Sequence, residues 1–398
     1  MDIHSTTQQR RRLAVKSYRQ VLGLVILTAK LLYGPARART MYGADEFFPM
    51  NNARVVFIKT SYRDLPGWGD DNYREALESF LESCSRFLSR RDDRPVVHQF
   101  GEKIKNTDFY SVCKIGDVVR NYPDDLIKVF FEMYFVPYRV VDRGSTKSLF
   151  TGYYVPEILA KKTRDRTFKY PIYRKPPDVI SGIKYYTREE IHYGALSNRN
   201  LEILYTNDPV ELYFMHIQGS GIAKLVDENK YVNIGYDGKN NRSYSSLANQ
   251  TKYNVDPAYS KKFGANSKAL KRELKKDLTE AVRLFNSNES YVFFKFLNDR
   301  NFKGAFGTRL IPFRTVAVDN KYIPLGFPLW LSTKHTKEKS VKEFNRLVFA
   351  NDVGSAVKGV NRGDIFFGFG RDGEDNSSAQ HAEGQYFLLV PVKIAKKL

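Results

Sequence analysis

The chain has 398 residues and a formal net charge of +20, with 42% hydrophobic and 14% aromatic residues. This composition excludes a disordered or collagen-like chain and allows two or three domains with a large core. The excess of 64 Lys+Arg over 44 Asp+Glu points to an anionic partner or to a basic bias spread over solvated faces, and past residue 40 no dense basic block decides between them.

Residues 10–38, "RRRLAVKSYRQVLGLVILTAKLLYGPARA", place the basic cluster Arg10–Arg12 before an apolar run from Val21 to Ala29 and an A-x-A pattern at Ala36-Arg37-Ala38. This order reads as a secretory signal peptide over residues 1–38 with weak twin-arginine character; an uncleaved amphipathic anchor is the alternative. The nine-residue run before Lys30 is short for a membrane span. Residues 1–38 hold seven Lys/Arg and one acid, so removing them takes the charge from +20 to +14.

Residues 70–140 read as helical. In "DNYREALESFLESCSRFLSRR" the apolar positions 73, 76, 77, 80, 81, 84, 87 and 88 repeat with the 3.6 period, and "DDLIKVFFEMYFVPY" repeats similarly until Pro137. Cys84 falls on the first apolar stripe, which favours a buried thiol over a bond to Cys113. Without a C-x-x-C or clustered histidines, a zinc site is not expected.

From Phe150 short β-rich runs begin, "LFTGYYVPEILA", "YPIYRK", "LEILYTNDPVELYFMHIQGSG" and "YVNIGYDG", separated by Gly, Pro, Asn and Asp. One helix, "NSKALKRELKKDLTEAVRLFN", interrupts them, with Leu270, Leu274, Leu278 and Val282 four apart. Strands then resume to the C-terminus. The last β region has few strands for an isolated barrel. Sharing a core with residues 41–154 would leave 155–285 as an inserted domain and join 286–398 to the first part.

"NDVGSAVKGVNRGDIFFGFG", residues 351–370, holds Asp352 and Asp364. "DVGS" looks like an aspartic-protease turn, but the second such turn is missing. Arg362-Gly363-Asp364 spells an adhesion tripeptide, but it runs into an apolar strand instead of an exposed tip. Two readings stay open: both aspartates are turn formers, or Asp364 points into an aromatic groove that raises its pKa and lets it donate a proton. Thr151, Gly152, Tyr153, Gln218, Gly219 and Ser220 combine Gly-rich backbone with hydroxyl and amide groups, a mixture that suits sugars and equally suits β-turns. His216 has no nucleophile motif beside it and reads as structural.

Taken in order, "FTGYYVPEILA", "YPIYRKPPD", "DPVELYFMHIQGSG", "VNIGYDGKNNRSYSSL", "NESYVFF", "GAFGTRLIPFRTVAVDNKYIPLGFPLWL" and "RLVFANDVGSAVKGVNRGDIFFGFG" resemble the membrane-bound lytic murein transglycosylase A (MltA) family over roughly residues 145–395. The resemblance implies a mainly β fold with an N-terminal helical part. A double-psi β-barrel would carry a smaller inserted β-barrel, with a glycan groove between them. The aspartates of the family's three-aspartate domain would be Asp319, Asp352 and Asp364.

The resemblance also implies cleavage of the MurNAc-β-1,4-GlcNAc bond with a 1,6-anhydro product and no metal or organic cofactor. Asp364 would be the catalytic acid and then base, and Asp352 its support. Thr151, Gly152, Tyr153, Gln218, Gly219 and Ser220 would border the groove, and Lys358 would stabilise negative charge or be structural. The implied partner is peptidoglycan in the periplasm of a Gram-negative-type bacterium, with wall-synthesis or division complexes as further partners.

The chain departs from the family pattern in three places. No cysteine precedes Cys84 for a lipid anchor, Ser355 stands where glycine is usual, and Asn320 stands where proline is common. A non-catalytic, expansin-like wall binder is the alternative from another class. Nucleic-acid binding has charge in its favour but no motif.

Overall fold

The computed structural model describes residues 47–49, 55–89, 95–97, 104–245, 247, 267–298, 301–337 and 340–397. The predicted signal peptide lies outside them. After β1 (Phe47–Pro49) and β2 (Val55–Lys59), helix α1 (Tyr73–Ser89) buries Tyr73, Ala76, Leu77, Phe80, Cys84 and Phe87, the stripe its periodicity predicts. A small pair, β3 (Pro95–Val97) and β4 (Ile104–Lys105), leads to α2 (Tyr110–Val119) and α3 (Asp124–Tyr134). Helix α3 ends before Pro137 because β5 (Phe135–Asp142) already takes Phe135 into a ladder.

The thiol expectation fails here. Cys84 of α1 and Cys113 of α2 form a disulfide, their Cα atoms 5.4 Å apart. Both are buried. The two helices pack by their apolar faces, so the same stripe that hides Cys84 from water delivers it to Cys113.

Strand β6 (Ser148–Val155) runs through Pro156 directly into β7 (Glu157–Lys161), which belongs to a different sheet. There follow β8 (Tyr170–Tyr173), α4 (Arg188–His192), β9 (Glu202–Thr206), α5 (Pro209–Gln218), β10 (Ser220–Leu225), β11 (Lys230–Lys239), α6 (Ser267–Leu274), α7 (Leu278–Asn286) and β12 (Val292–Phe296). This sheet has the order β12-β11-β10-β7-β9-β8. Among the described residues no ladder joins β8 to β12, so hydrogen bonding leaves open what the resemblance implies is a small barrel. It also takes in Val292–Phe296, beyond the predicted insert boundary at 285.

One strand prediction and one helix prediction need correction. "DPVELYFMHIQ" is helix α5, not strand: the Asp208 side chain caps Val210 and Glu211 N–H, Pro209 opens the first turn, and Gly219 ends it at φ 81°. The single predicted helix over 266–286 is two, because Asp277 caps Thr279 and Glu280 N–H and starts α7 afresh. Leu278, counted in the apolar repeat, is 41% exposed.

The chain then returns to the first sheet through β13 (Thr315–Val318), β14 (Pro328–Lys337), β15 (Ser340–Val353), β16 (Arg362–Phe369), α8 (Gly370–Ser377), β17 (His381–Pro391) and α9 (Val392–Ala395). Strands β17-β14-β15-β13-β16-β6 follow one another, and a β6–β17 ladder closes them into a six-stranded barrel; β5, β2 and β1 extend it beyond β17. The helices share the barrel's core: Phe80 of α1 contacts Phe131 of α3 and Phe349 of β15. Fully buried Arg314 grips Asp71 through two bonds of 2.7 and 2.8 Å and fixes the start of α1 to the barrel.

Candidate active site

Short β13 lies between β15 and β16, and its register sets two aspartates in one row: Ala317 is paired with Asp352 on one side and Asp364 on the other. The row continues from Asp364 to Thr151 of β6 and on to His381 of β17. Two strand spacings put the aspartate backbones about 10 Å apart. Strand alternation sends Ile365 and Phe367 into the barrel core, so Asp364 and Phe366 face outward. Phe366 packs there with Val155, Phe302, Leu310 and Tyr153.

Thr151 Oγ1 donates to Asp364 Oδ1 at 2.8 Å and accepts from Arg362 Nη2 at 2.9 Å. Asp364 Oδ2 has no partner among the described residues. Asp352 is held far more tightly: Oδ2 accepts from Tyr153 Oη at 2.8 Å, and Oδ1 accepts from Ala305 N and Val353 N, each at 2.9 Å. Burial is the first cause that pushes both carboxyls above the usual aspartate range. For Asp364 the bond from Thr151 and the charge of Arg362 oppose this, while the charge of Asp352 reinforces it. For Asp352 all three hydrogen bonds pull downward. Asp352 thus accepts from three donors and Asp364 from one, so the two carboxylates are unequally supported as anions.

The other predicted residues divide. Thr151 and Tyr153 touch the aspartates directly. Gly152, between them, points the other way: a Cβ there would meet Phe367 at 2.7 Å, so glycine serves barrel packing. Gln218 Oε1 accepts from Tyr154 N at 3.1 Å and ties the end of α5 to β6. Gly219, left-handed, faces open space, and Ser220 begins β10. Lys358 is exposed, and no bond joins it to either aspartate among the described residues. Asp319 is buried and accepts from Lys321 N and Gly359 N, holding the turn after β13. Gly363 of the "RGD" is buried where a Cβ would stand 1.8 Å from Tyr386 Oη, which excludes an exposed adhesion tip.

Sequence reasoning missed three contributors. Arg362 shares a strand face with Asp364, and period-two alternation was the available signal. Ala305 acts through its backbone N–H alone. Tyr244, from the segment after β11, lies close enough to Asp364 to feel its charge; burial is the main cause that raises its phenol. Nothing local announces either of these two. His216 lies away from both aspartates' hydrogen bonds; it is buried and stacks on Phe294 at 5.3 Å. Among the described residues no group of three or more His, Cys, Asp or Glu is placed to hold a metal, and no helix is long and apolar enough to cross a membrane.

The MltA specific insert domain matches residues 149–295 and the 3D domain matches residues 314–390. Membrane-bound lytic murein transglycosylase A of Escherichia coli strain K12 is 33% identical over 246 residues, 60% of this chain and 65% of that protein. The protein of that name from Vibrio cholerae is 32% identical over 226 residues, 56% of this chain and 60% of that one. The matched region thus spans about three fifths of the length of these curated relatives. The crystal structure of a membrane-bound lytic murein transglycosylase from Agrobacterium tumefaciens aligns with a TM-score of 0.74 at 25% identity, over 85% of this chain and 98% of that one.

Proposed function

This chain belongs to the MltA family, and from that premise we propose that it is a peptidoglycan lytic transglycosylase. It cleaves the MurNAc-β-1,4-GlcNAc bond and leaves a 1,6-anhydro-MurNAc end. The observation that carries this reading is the unequal aspartate pair on the outer face of the barrel, in which Asp364 accepts one hydrogen bond and Asp352 three.

A glycosidase that activates water needs a second carboxylate as base or nucleophile. A transglycosylase takes its attacking oxygen from the substrate, so one carboxyl group suffices. Asp364 protonates the glycosidic oxygen as its bond to C1 of MurNAc breaks. As carboxylate it then removes the proton from the C6 hydroxyl, whose oxygen forms the new bond to C1. The proton returns to Asp364 and the cycle closes. In this reading Asp352, whose carboxyl accepts from Tyr153, Ala305 and Val353, is the anion of the pair: it favours the protonated form of Asp364 at the start and stabilises positive charge developing on the sugar ring. Thr151 and Arg362 orient Asp364 Oδ1 and leave Oδ2 for the substrate.

The glycan lies between the barrel and the inserted sheet, bordered by β6 and the α5–β10 turn at Gln218, Gly219 and Ser220. The parallel β13–β15 and β16–β6 pairs within the closed barrel support the double-psi reading. Export to the periplasm fits the Cys84–Cys113 disulfide, which persists in oxidising compartments. Digestion of purified sacculi followed by mass analysis tests the activity. Anhydro-muropeptides are expected; reducing-end products make it a hydrolase, and sacculus binding without soluble product makes it a wall binder.

A further inference from the structure

A cavity of about 410 Å³ lies in the inserted domain, and neither site aspartate nor any of their hydrogen-bond partners lines it. Its wall includes the rings of Tyr213 and Tyr291 and the side chains of Arg188 and His216.

Arg188 is only 6% exposed, yet no carboxylate pairs with it among the described residues. Its Nε donates to Asn288 O at 3.2 Å, Nη2 to Ser290 O at 2.5 Å and Nη1 to His216 Nδ1 at 2.8 Å. The guanidinium also lies 4.9 and 5.1 Å from the ring centroids of Tyr213 and Tyr291. All these partners are neutral, and a buried cation without a counter-ion is unusual.

Arg188 also decides the state of His216. Because Nη1 donates to Nδ1, the imidazole carries its proton on Nε2. That buried N–H has no acceptor among the described residues. Burial, with the Arg188 charge, holds the ring well below the usual histidine range, so it stays a neutral donor. Exposed Arg164 and Lys169 add two cations to the lining, against the single carboxylate of Glu202. A buried uncompensated cation, an unanswered N–H and aromatic walls together call for an anion with an acceptor oxygen and a small body.

We propose that this cavity binds a small carboxylate ligand at a site separate from Asp364. Peptidoglycan supplies such carboxylates on acidic sugars or on stem peptides; that choice of source rests on the transglycosylase reading, whereas the binding does not.

The test uses the full chain carrying Asp364→Asn, titrated by calorimetry with N-acetylmuramic acid and separately with L-alanyl-D-glutamate. Neutral N,N′-diacetylchitobiose serves as competitor. At least one acid binds saturably, and which one identifies the sugar or the peptide source. Chitobiose does not displace it. Arg164→Ala/Lys169→Ala, confined to exposed residues, weakens binding about tenfold, and His216→Phe weakens it at least as much. Absence of binding by both acids, binding unchanged in the folded surface variant, or displacement by chitobiose overturns the proposal. A chain that binds acid here and releases no anhydro-muropeptide separates this site from the proposed activity.

Discussion

Asp364 and Asp352 share a residue type, a row and a half-buried position, and still differ in what they are able to do. One accepts a single hydroxyl bond; the other accepts two backbone N–H bonds and a phenol. Asp364→Asn therefore lowers sacculus turnover by about 10²–10⁴-fold, the usual contribution of a positioned acid. It also raises stability. The folded pKa of Asp364 lies above its unfolded value. Its favourable contribution is complete below the unfolded pKa and is lost as pH rises through the folded one. At pH 7 the wild-type chain carries that penalty and the amide does not, so Tm rises by about 2 °C per kcal/mol recovered. The gain vanishes toward pH 3, and thermal scans at both pH values check it. Thr151→Val removes a bond that lowers the Asp364 pKa. Activity that needs the protonated acid then persists to higher pH, and the basic limb of the pH–rate profile moves upward. A limb that stays in place removes Thr151 from the acid's environment.

At the scale of elements, the disulfide between α1 and α2 closes a 29-residue separation in the unfolded chain. Cys84→Ser/Cys113→Ser lowers stability by about 3 kcal/mol, most of it through the freer unfolded state, measurable by urea denaturation. Helix α5 shows how local signals compete. Its residues are β-formers and aromatics, and the run reads as strand on composition. Its ends carry the opposite message in an Asp cap, Pro in the first turn and Gly at the close. Burial against two neighbours decides the outcome. Leu212 and Met215 face the inserted sheet, and Val210, Tyr213 and Phe214 face α6 and α7. A helix apolar on two sides has little periodicity to read.

The whole molecule depends on contacts between the inserted sheet and the barrel. Lys271 of α6, 3% exposed, donates to Tyr154 Oη at 2.8 Å, Glu211 at 2.6 Å and Glu374 at 2.7 Å. These groups come from β6, α5 and α8, so one ammonium joins both parts beside the strand that carries Thr151 and Tyr153. Lys271→Met leaves Glu374 without its cation, while Glu211 keeps Lys275 at 2.7 Å, and lowers stability by about 3 kcal/mol. Sacculus turnover falls in the variant even below its Tm, because the elements bordering the proposed groove lose their common anchor. A variant that keeps both wild-type Tm and turnover shows that the anchor is dispensable.

Local pattern determined much of this protein. The helical stripe over 73–88 and the strand runs either side of the insert follow from periodicity, turn chemistry and residue type, which act over a few positions, whereas those signals left Asp364 open between turn former and acid. Ordered family blocks added the family and the choice of Asp364 in the proposed mechanism. Only the tertiary structure decided which side chains meet: Cys84 with Cys113, Ala305 N–H with Asp352, Tyr244 beside Asp364, and Gly152 turned toward Phe367 and away from the aspartates. Those outcomes depend on register across β13 and on packing between segments far apart in the chain. The free energy that selects them comes from burial and hydrogen bonding in three dimensions, which no short window of residues records.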